Sequence, residues 1–322
     1  MSTSIFLLII LLSFGCRKTS QPVTTKITYA MPITVAAIPS YVALEKGFWK
    51  EEGLEVKAEM FSAGRLALDA LLAKSTEVMS VSETPLMHAI LQGYDIKIVA
   101  TVAEMQEVKA IGRRDHGIRT AKDFKGKRIA TLPGTNSDYF MYQFLKKHGI
   151  SLKDVKITNM APPEMVTSLI NGNIDAYFAW EPHIYYARKH LGDTCVVFPA
   201  EDLYHGRHCV AMNSDYITQH PDVVEKLIRG FIRAEKFAKE QPDSAMAIVA
   251  KITGLSGDDL KALWGEYNIK VQLDSTLVDI LQVEGKWALS LEKNPKPLPD
   301  FKAQIYTEGL RKVRPSSLTI IP

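Results

Sequence analysis

NIDAYFAWEP, residues 173–182, places an apolar run, Ala176 to Ala179, directly before Trp180, Glu181 and Pro182. Such a run reads as a strand buried on both faces. A buried strand that delivers an indole and a carboxylate to its end calls for a reason. TEVMSVSETP, residues 76–85, has the same form, an apolar run ending in Glu83 and Pro85. The lead-ins match as well: Leu71, Leu72, Glu77 and Glu83 align without a gap on Leu169, Ile170, Asp175 and Glu181. One helix–strand–acid unit occurs twice.

Strands and helices alternate around both copies. ITYAMP (27–32) is strand-like, PSYVALEKGFWKEEG (39–53) opens with proline and closes with glycine as helices do, and LEVKAEMF (54–61) alternates as a half-buried strand. A helix over 62–75, the strand before Glu83, a helix after it and a strand over 96–103 follow. The stretch 112–127 is charged and aperiodic, which predicts a crossing between units. The alternation restarts at 127–134, with a helix over 135–149 capped by Thr, Asn or Ser and stopped by Gly149. HCVAMN (208–213) is the last strand expected, and nearly everything from 221 onward reads as helix.

Alternating strands and helices predict parallel sheets covered on both faces, and two such units predict two lobes. Open parallel sheets bind ligands outside the carboxyl ends of their strands. Glu83 and Glu181 are expected there, facing one cleft. The lobes are expected to comprise 27–112 plus 207–322, and 113–206.

Composition narrows the function classes. The chain has 322 residues, 46% hydrophobic, with 39 basic and 36 acidic residues and a net charge of +3. That balance gives no electrostatic footprint for nucleic acid. Three cysteines are too few for a disulfide framework, although Cys195 and Cys209 are free to pair after export. HGRHC (205–209) brings His205, His208 and Cys209 together, but the spacing lacks a fourth ligand and no metal is expected. IFLLIILLSFG (5–15) falls short of the about 20 residues a bilayer span needs and suits a secretion signal. It ends at Gly15-Cys16, similar to a bacterial lipobox, which makes Cys16 the expected lipidation site after a signal over 1–16. Ser13 and Phe14 depart from that pattern, leaving ordinary cleavage or an uncleaved anchor as alternatives. Residues 17–26 are polar and read as a tether.

Four stretches carry a family resemblance: ALEKGFWKEEGLEV (43–56), LDALLAKSTEVMSVSETP (68–85), DFKGKRIATLPGT (123–135) and SLINGNIDAYFAWEP (168–182). In that order they resemble the substrate-binding proteins of ABC importers, in the group serving nitrate, taurine, alkanesulfonates and thiamine-pyrimidine precursors. The resemblance implies an α/β, bilobed type II periplasmic-binding fold with a hinge, its carboxy-terminal helices packed on the first lobe. It implies a monomeric, lipid-anchored receptor at the periplasm or cell surface, working with a permease and an ATPase and needing no cofactor. In the family, ligand contacts come mainly from strand–helix loops. Here these are Ile38-Pro39-Ser40, Ser62-Ala63-Gly64-Arg65, Ser82-Glu83-Thr84, Thr135-Asn136-Ser137 and Trp180-Glu181.

The candidate ligand-binding residues are Ser40, Ser62, Gly64, Arg65, Glu83, Thr84, Thr135, Asn136, Ser137, Trp180 and Glu181. Hydroxyls and amides at helix starts, with unpaired backbone N–H groups behind them, suit an oxyanion, and each is equally an ordinary cap. Arg65 can fork onto a sulfonate, nitrate or carboxylate, or remain a solvated surface side chain. Glu83 and Glu181 accept only, which favours a nitrogen group on the ligand, unless each serves its own helix start. Trp180 can stack on a flat ligand or wall the cleft. An organic sulfonate or carboxylate with a nitrogen group uses both sets, and a pyrimidine-like heterocycle ranks second. The same fold carries a fungal pyrimidine synthase and menaquinone-pathway enzymes, so an enzyme is the rival class. The cysteine-rich CCCFC segment of that synthase is missing, as are G-x-S-x-G, H-E-x-x-H and P-loop motifs. A binding protein without catalysis is expected.

Overall fold

The computed structural model describes residues 24–200 and 203–320. Its strands, in chain order, are β1 (Thr25–Pro32), β2 (Leu54–Phe61), β3 (Val78–Ser82), β4 (Ile96–Met105), β5 (Lys109–Arg113), β6 (Arg128–Thr131), β7 (Lys156–Asn159), β8 (Ala176–Ala179), β9 (Cys195–Pro199), β10 (Gly206–Asn213) and β11 (Tyr267–Gln272). They form two sheets, ordered β11-β4-β10-β3-β1-β2 and β7-β6-β8-β5-β9.

Both sheets are mixed, where strand–helix alternation predicted parallel ones. β1 runs parallel to β2 and β3, and β6 to β7 and β8. β10 lies antiparallel between β3 and β4, and β5 antiparallel between β8 and β9. In each sheet the antiparallel central strand is one that enters from the other sheet: β5 follows β4 of the first sheet after only Gln106–Val108, and β10 is the next strand after β9 of the second. The expected crossing at 112–127 is therefore displaced: the chain passes between sheets at Gln106–Val108, and 112–127 begins in β5. β11 was also unforeseen, although Tyr267, Ile269 and Val271 are buried in alternation with exposed Asn268 and Lys270.

The repeated unit is real in three dimensions. Glu77 N–H donates to Thr28 O at 3.2 Å, and Glu77 Oε2 accepts from Thr28 N–H at 2.6 Å. Asp175 N–H donates to Arg128 O at 2.8 Å, and Asp175 Oδ2 accepts from Arg128 N–H at 2.8 Å. Both pairs continue a ladder whose next partners are Tyr29↔Val78 and Ile129↔Ala176. Each acid thus adds a charge-assisted rung before its buried strand begins and fixes the register. β3 and β8 are then buried along their whole length.

The carboxy-terminal helices pack mainly on the first sheet and its helices. Trp49 Nε1–H donates to Leu227 O at 3.1 Å, and the helix Pro221–Glu240 approaches so closely that a Cβ at Gly230 would lie 2.2 Å from the indole. Among the described residues, no helix is long and apolar enough to cross a membrane. The expected signal segment and Cys16 lie outside the described residues.

Candidate functional site

A cleft opens where the carboxyl ends of the two sheets meet. From the first sheet's side it is lined by Thr34 after β1, Gly64 and Arg65 at the start of the helix Gly64–Leu72, Ser82 at the end of β3, and His208 of β10. Glu107, in the passage between sheets, forms part of the wall. From the other side come Thr135 and Asn136, at the start of the helix Asn136–Lys147, and Trp180 after β8. Two helix amino termini on opposite sides thus bring first-turn N–H groups without intrahelical partners and the positive ends of two dipoles. The enclosed space is small, about 30 Å³, enough for two or so waters. A second cavity of about 320 Å³ adjoins it, and Arg65 and Pro85 line both.

Of the residues singled out in the sequence, Gly64, Arg65, Thr135, Asn136 and Trp180 meet in this cleft. Arg65 reaches across it, donating from Nη1 to Pro133 O at 3.1 Å. Trp180 is nearly buried and stands edge-on to His183, ring centroids 6.0 Å apart. Asn136 Oδ1 accepts from Ser137 N–H at 3.0 Å.

The other candidates are committed elsewhere. Ser40 sits within the helix Ile38–Glu45 and pairs with the Tyr29 hydroxyl at 2.9 Å. The loop before that helix comes earlier than expected because the turn Val35–Ala37 precedes it, so Thr34, not Ser40, reaches the cleft. Ser62 is exposed ahead of the Ala63 cap and does not line the cleft. Thr84 Oγ1 donates to Glu284 Oε1 at 3.1 Å, and Ser137 Oγ pairs with Thr135 Oγ1 at 2.9 Å.

Both glutamates lie behind the cleft wall. Glu83 is fully buried, accepting from the Tyr204 hydroxyl and from Arg207 N–H at 2.7 Å. Burial raises its pKa, and raises that of neighbouring Glu284 still more, because the Glu83 charge adds to it. Glu284 Oε2 meets no donor among the described residues, as suits a carboxyl that carries the proton itself. Glu181 is 2% exposed. It accepts from Lys109 Nζ at 2.9 Å and from Tyr185 N–H at 2.9 Å. Lys109 Nζ also meets both oxygens of Glu266 at 2.7 Å. Burial would lower the Lys109 pKa, but the Glu181 and Glu266 charges outweigh it and the net shift is upward. The two carboxylates that seemed to offer themselves to a ligand hold the passages between sheets.

Glu107 supplies the carboxyl that does line the cleft. It accepts from the Tyr267 hydroxyl at 2.8 Å and from Thr34 Oγ1 at 3.1 Å. Burial, with help from the Glu181 and Glu266 charges, pushes it up to about 8 against those hydrogen bonds. Near neutral pH it holds a proton and can donate as well as accept. Glu107 carries little signal in the sequence, because Glu104 and Gln106 stand beside it in the same polar break. Cys195 and Cys209 are unbonded and buried in different sheets.

The arrangement suits a small anionic group held by helix starts, hydroxyls and one guanidinium. The taurine-binding periplasmic protein of Escherichia coli (strain K12) is 25% identical over 252 residues, covering 73% of this chain and 77% of that one. The alkanesulfonate-binding protein SsuA from Xanthomonas axonopodis pv. citri, bound to MOPS, superposes with a TM-score of 0.77 at 17% identity, covering 88% of this chain and 98% of that one. The desulfurization enzyme DSZB superposes with a TM-score of 0.64 at 16% identity, covering 91% and 99%. The fold is that of the bilobed periplasmic binding proteins, an architecture that carries receptors and also an enzyme. The family described as NMT1/THI5 like matches residues 35–245, well over half of the sequence, and the chain belongs to that family.

Proposed function

We propose that this protein is an extracytoplasmic solute receptor that delivers a small organic anion, of sulfonate or taurine type, to an ABC importer. The observation that carries the reading is the cleft itself, where helix starts from both sheets converge and Arg65 spans the gap to Pro133. The inner space suits an anionic head group. A substituent can extend past Arg65 into the adjoining cavity of about 320 Å³. The ligand's nitrogen, where it has one, meets Glu107, because Glu83 and Glu181 are already engaged. The relatives' alkanesulfonate and taurine ligands are consistent with this chemistry.

The proposed lobes are built on the two sheets, about 27–105 with 206–320 and about 109–200, hinged at the two passages between them. Ligand closes the lobes. Cys16 is proposed as the acylated amino terminus that keeps the receptor beside its permease. Catalysis is not part of the reading, because the relatives it draws on are binding proteins.

A thermal-shift screen with taurine, alkanesulfonates, aromatic sulfonates, nitrate and pyrimidines tests the proposal. Sulfonates at a hundred times their Kd should stabilise the protein by about 2.7 kcal/mol through mass action. A response confined to uncharged heterocycles would contradict it, and turnover of any bound sulfonate would replace the receptor with an enzyme.

A further inference from the structure

We infer that His208 contacts the ligand directly, giving a neutral hydrogen bond to an acceptor oxygen of a singly charged anion, with Ser82 of the neighbouring strand beside it. The inference rests on the anion-receptor reading above and names a residue which that reading does not need.

His208 stands in β10, the strand that returns from the second sheet, directly opposite Ser82 of β3. Cross-strand partners project to the same face of a sheet, and both residues line the cleft. The imidazole is 2% exposed, and its Nε2 meets no hydrogen-bond partner among the described residues. An unpartnered polar atom in the middle of a sheet costs stability, and a ligand group is what would satisfy it. Two other imidazoles, half-buried His88 and buried His183, also leave Nε2 without a partner, but His88 packs edge-on to Trp287 and His183 edge-on to Trp180. Neither of those lines the inner cleft.

The ring is neutral when it does this. Burial alone drives its pKa down to about 3. In a neutral ring one nitrogen donates and the other accepts, and the proposed contact has the proton on Nε2, a donor without charge. Among the residues lining the inner cleft, the formal positive charge comes from Arg65, since Lys109 is spent on Glu181 and Glu266. One guanidinium with neutral donors balances one negative charge. A sulfonate or carboxylate fits that balance, whereas the second charge of a dianion such as sulfate would have no side-chain cation opposite it and would rest on the helix dipoles alone.

The test is a comparison of His208→Leu and His208→Gln with the parent protein by isothermal titration, using taurine, ethanesulfonate and sulfate as probes, and by thermal unfolding without ligand. Leucine fills the same space without the unpartnered nitrogen, so His208→Leu should melt at least as high as the parent yet bind the better sulfonate at least tenfold more weakly. His208→Gln keeps an amide donor and should retain more of the affinity, and it serves as the binding test should the leucine variant fail to fold. Sulfate should bind the parent at least tenfold more weakly than the sulfonates. Sulfonate affinity within twofold of the parent in both variants would overturn the role of His208 while leaving the receptor standing. A parent protein that binds neither sulfonate would remove the receptor reading for this class and the inference with it.

Discussion

Glu83 and Glu181 end equivalent strands, and each grips the chain segment that arrives in its own sheet from the other one. Glu83 holds Tyr204 and Arg207, where the chain returns to the first sheet, and Glu181 holds Lys109, where it enters the second. Buried carboxylates set at the ends of β3 and β8 thus hold both passages between the sheets, where the hinge is proposed.

Removing the partner of one of them should be costly. Lys109→Met leaves Glu181 buried without its cation and is expected to destabilise the protein by about 3–5 kcal/mol. Adding Glu181→Gln, which keeps an acceptor for Tyr185 N–H, should recover a large part of that loss. Urea unfolding of the three proteins measures both steps. A loss under about 1 kcal/mol for Lys109→Met would mean that the pair does not secure the hinge.

Glu107 gives the hinge region a pH signature. The folded protein keeps its proton up to about pH 8, whereas the unfolded chain releases it near 4.5. This contribution to stability is full below about 4.5, declines as the pH rises through that window, and is flat above 8. Glu107→Gln should therefore gain stability relative to the parent as the pH climbs from 5 to 8. The difference between their unfolding free energies, followed by urea titration across that range, isolates this group from every other titration. A difference independent of pH would show that Glu107 is ionised in the folded state.

The register rungs predict a cost in both repeats. Glu77→Ala should cost about 1.5–3 kcal/mol, the range for hydrogen bonds to charged groups, and Asp175→Ala at least as much, because its carboxylate also binds the Arg128 guanidinium and His116. They belong to different sheets, so the double variant should add to within about 0.5 kcal/mol. Denaturant midpoints of the two single variants and the double one decide it. A silent substitution at either position would remove the register role of that acid.

Much of this was legible in the sequence because burial writes itself as unbroken apolar runs. The duplicated lead-in 71–83 and 169–181 carried the two-sheet architecture and Trp180, and helix starts at Gly64 and Asn136 carried four more of the cleft residues. What could not be read was where partners come from. Glu83 and Glu181 reach the correct strand ends, but their partners at Arg207 and Lys109 are brought by antiparallel strands whose positions depend on the passages between sheets. β5 was hidden because Lys109 and the charges from Arg113 onward interrupt its short apolar stretch. Ser40 was placed in a loop because a proline marks a helix start, yet the preceding turn moved the loop back to Thr34.

Arg65 connects the inner space, the adjoining cavity and the far side of the cleft at Pro133. Arg65→Ala should weaken an anionic ligand by about 1.5–3 kcal/mol. Its effect on the melting temperature without ligand should be small, because the side chain is exposed. Titration calorimetry with the best sulfonate from the screen reads the first, and a melting curve the second. Unchanged affinity would return Arg65 to the role of a latch alone.

The most direct measurement is a crystal structure of the protein with the sulfonate that stabilises it most. The expected result is the anionic group between the two sheets, in contact with the helix starts at Gly64 and Asn136 and within hydrogen-bond distance of Arg65. A sulfonate bound with full occupancy elsewhere, such as the surface groove lined by Tyr139, Leu203 and Val283, with the cleft holding only solvent, would contradict the assignment of this cleft as the receptor site.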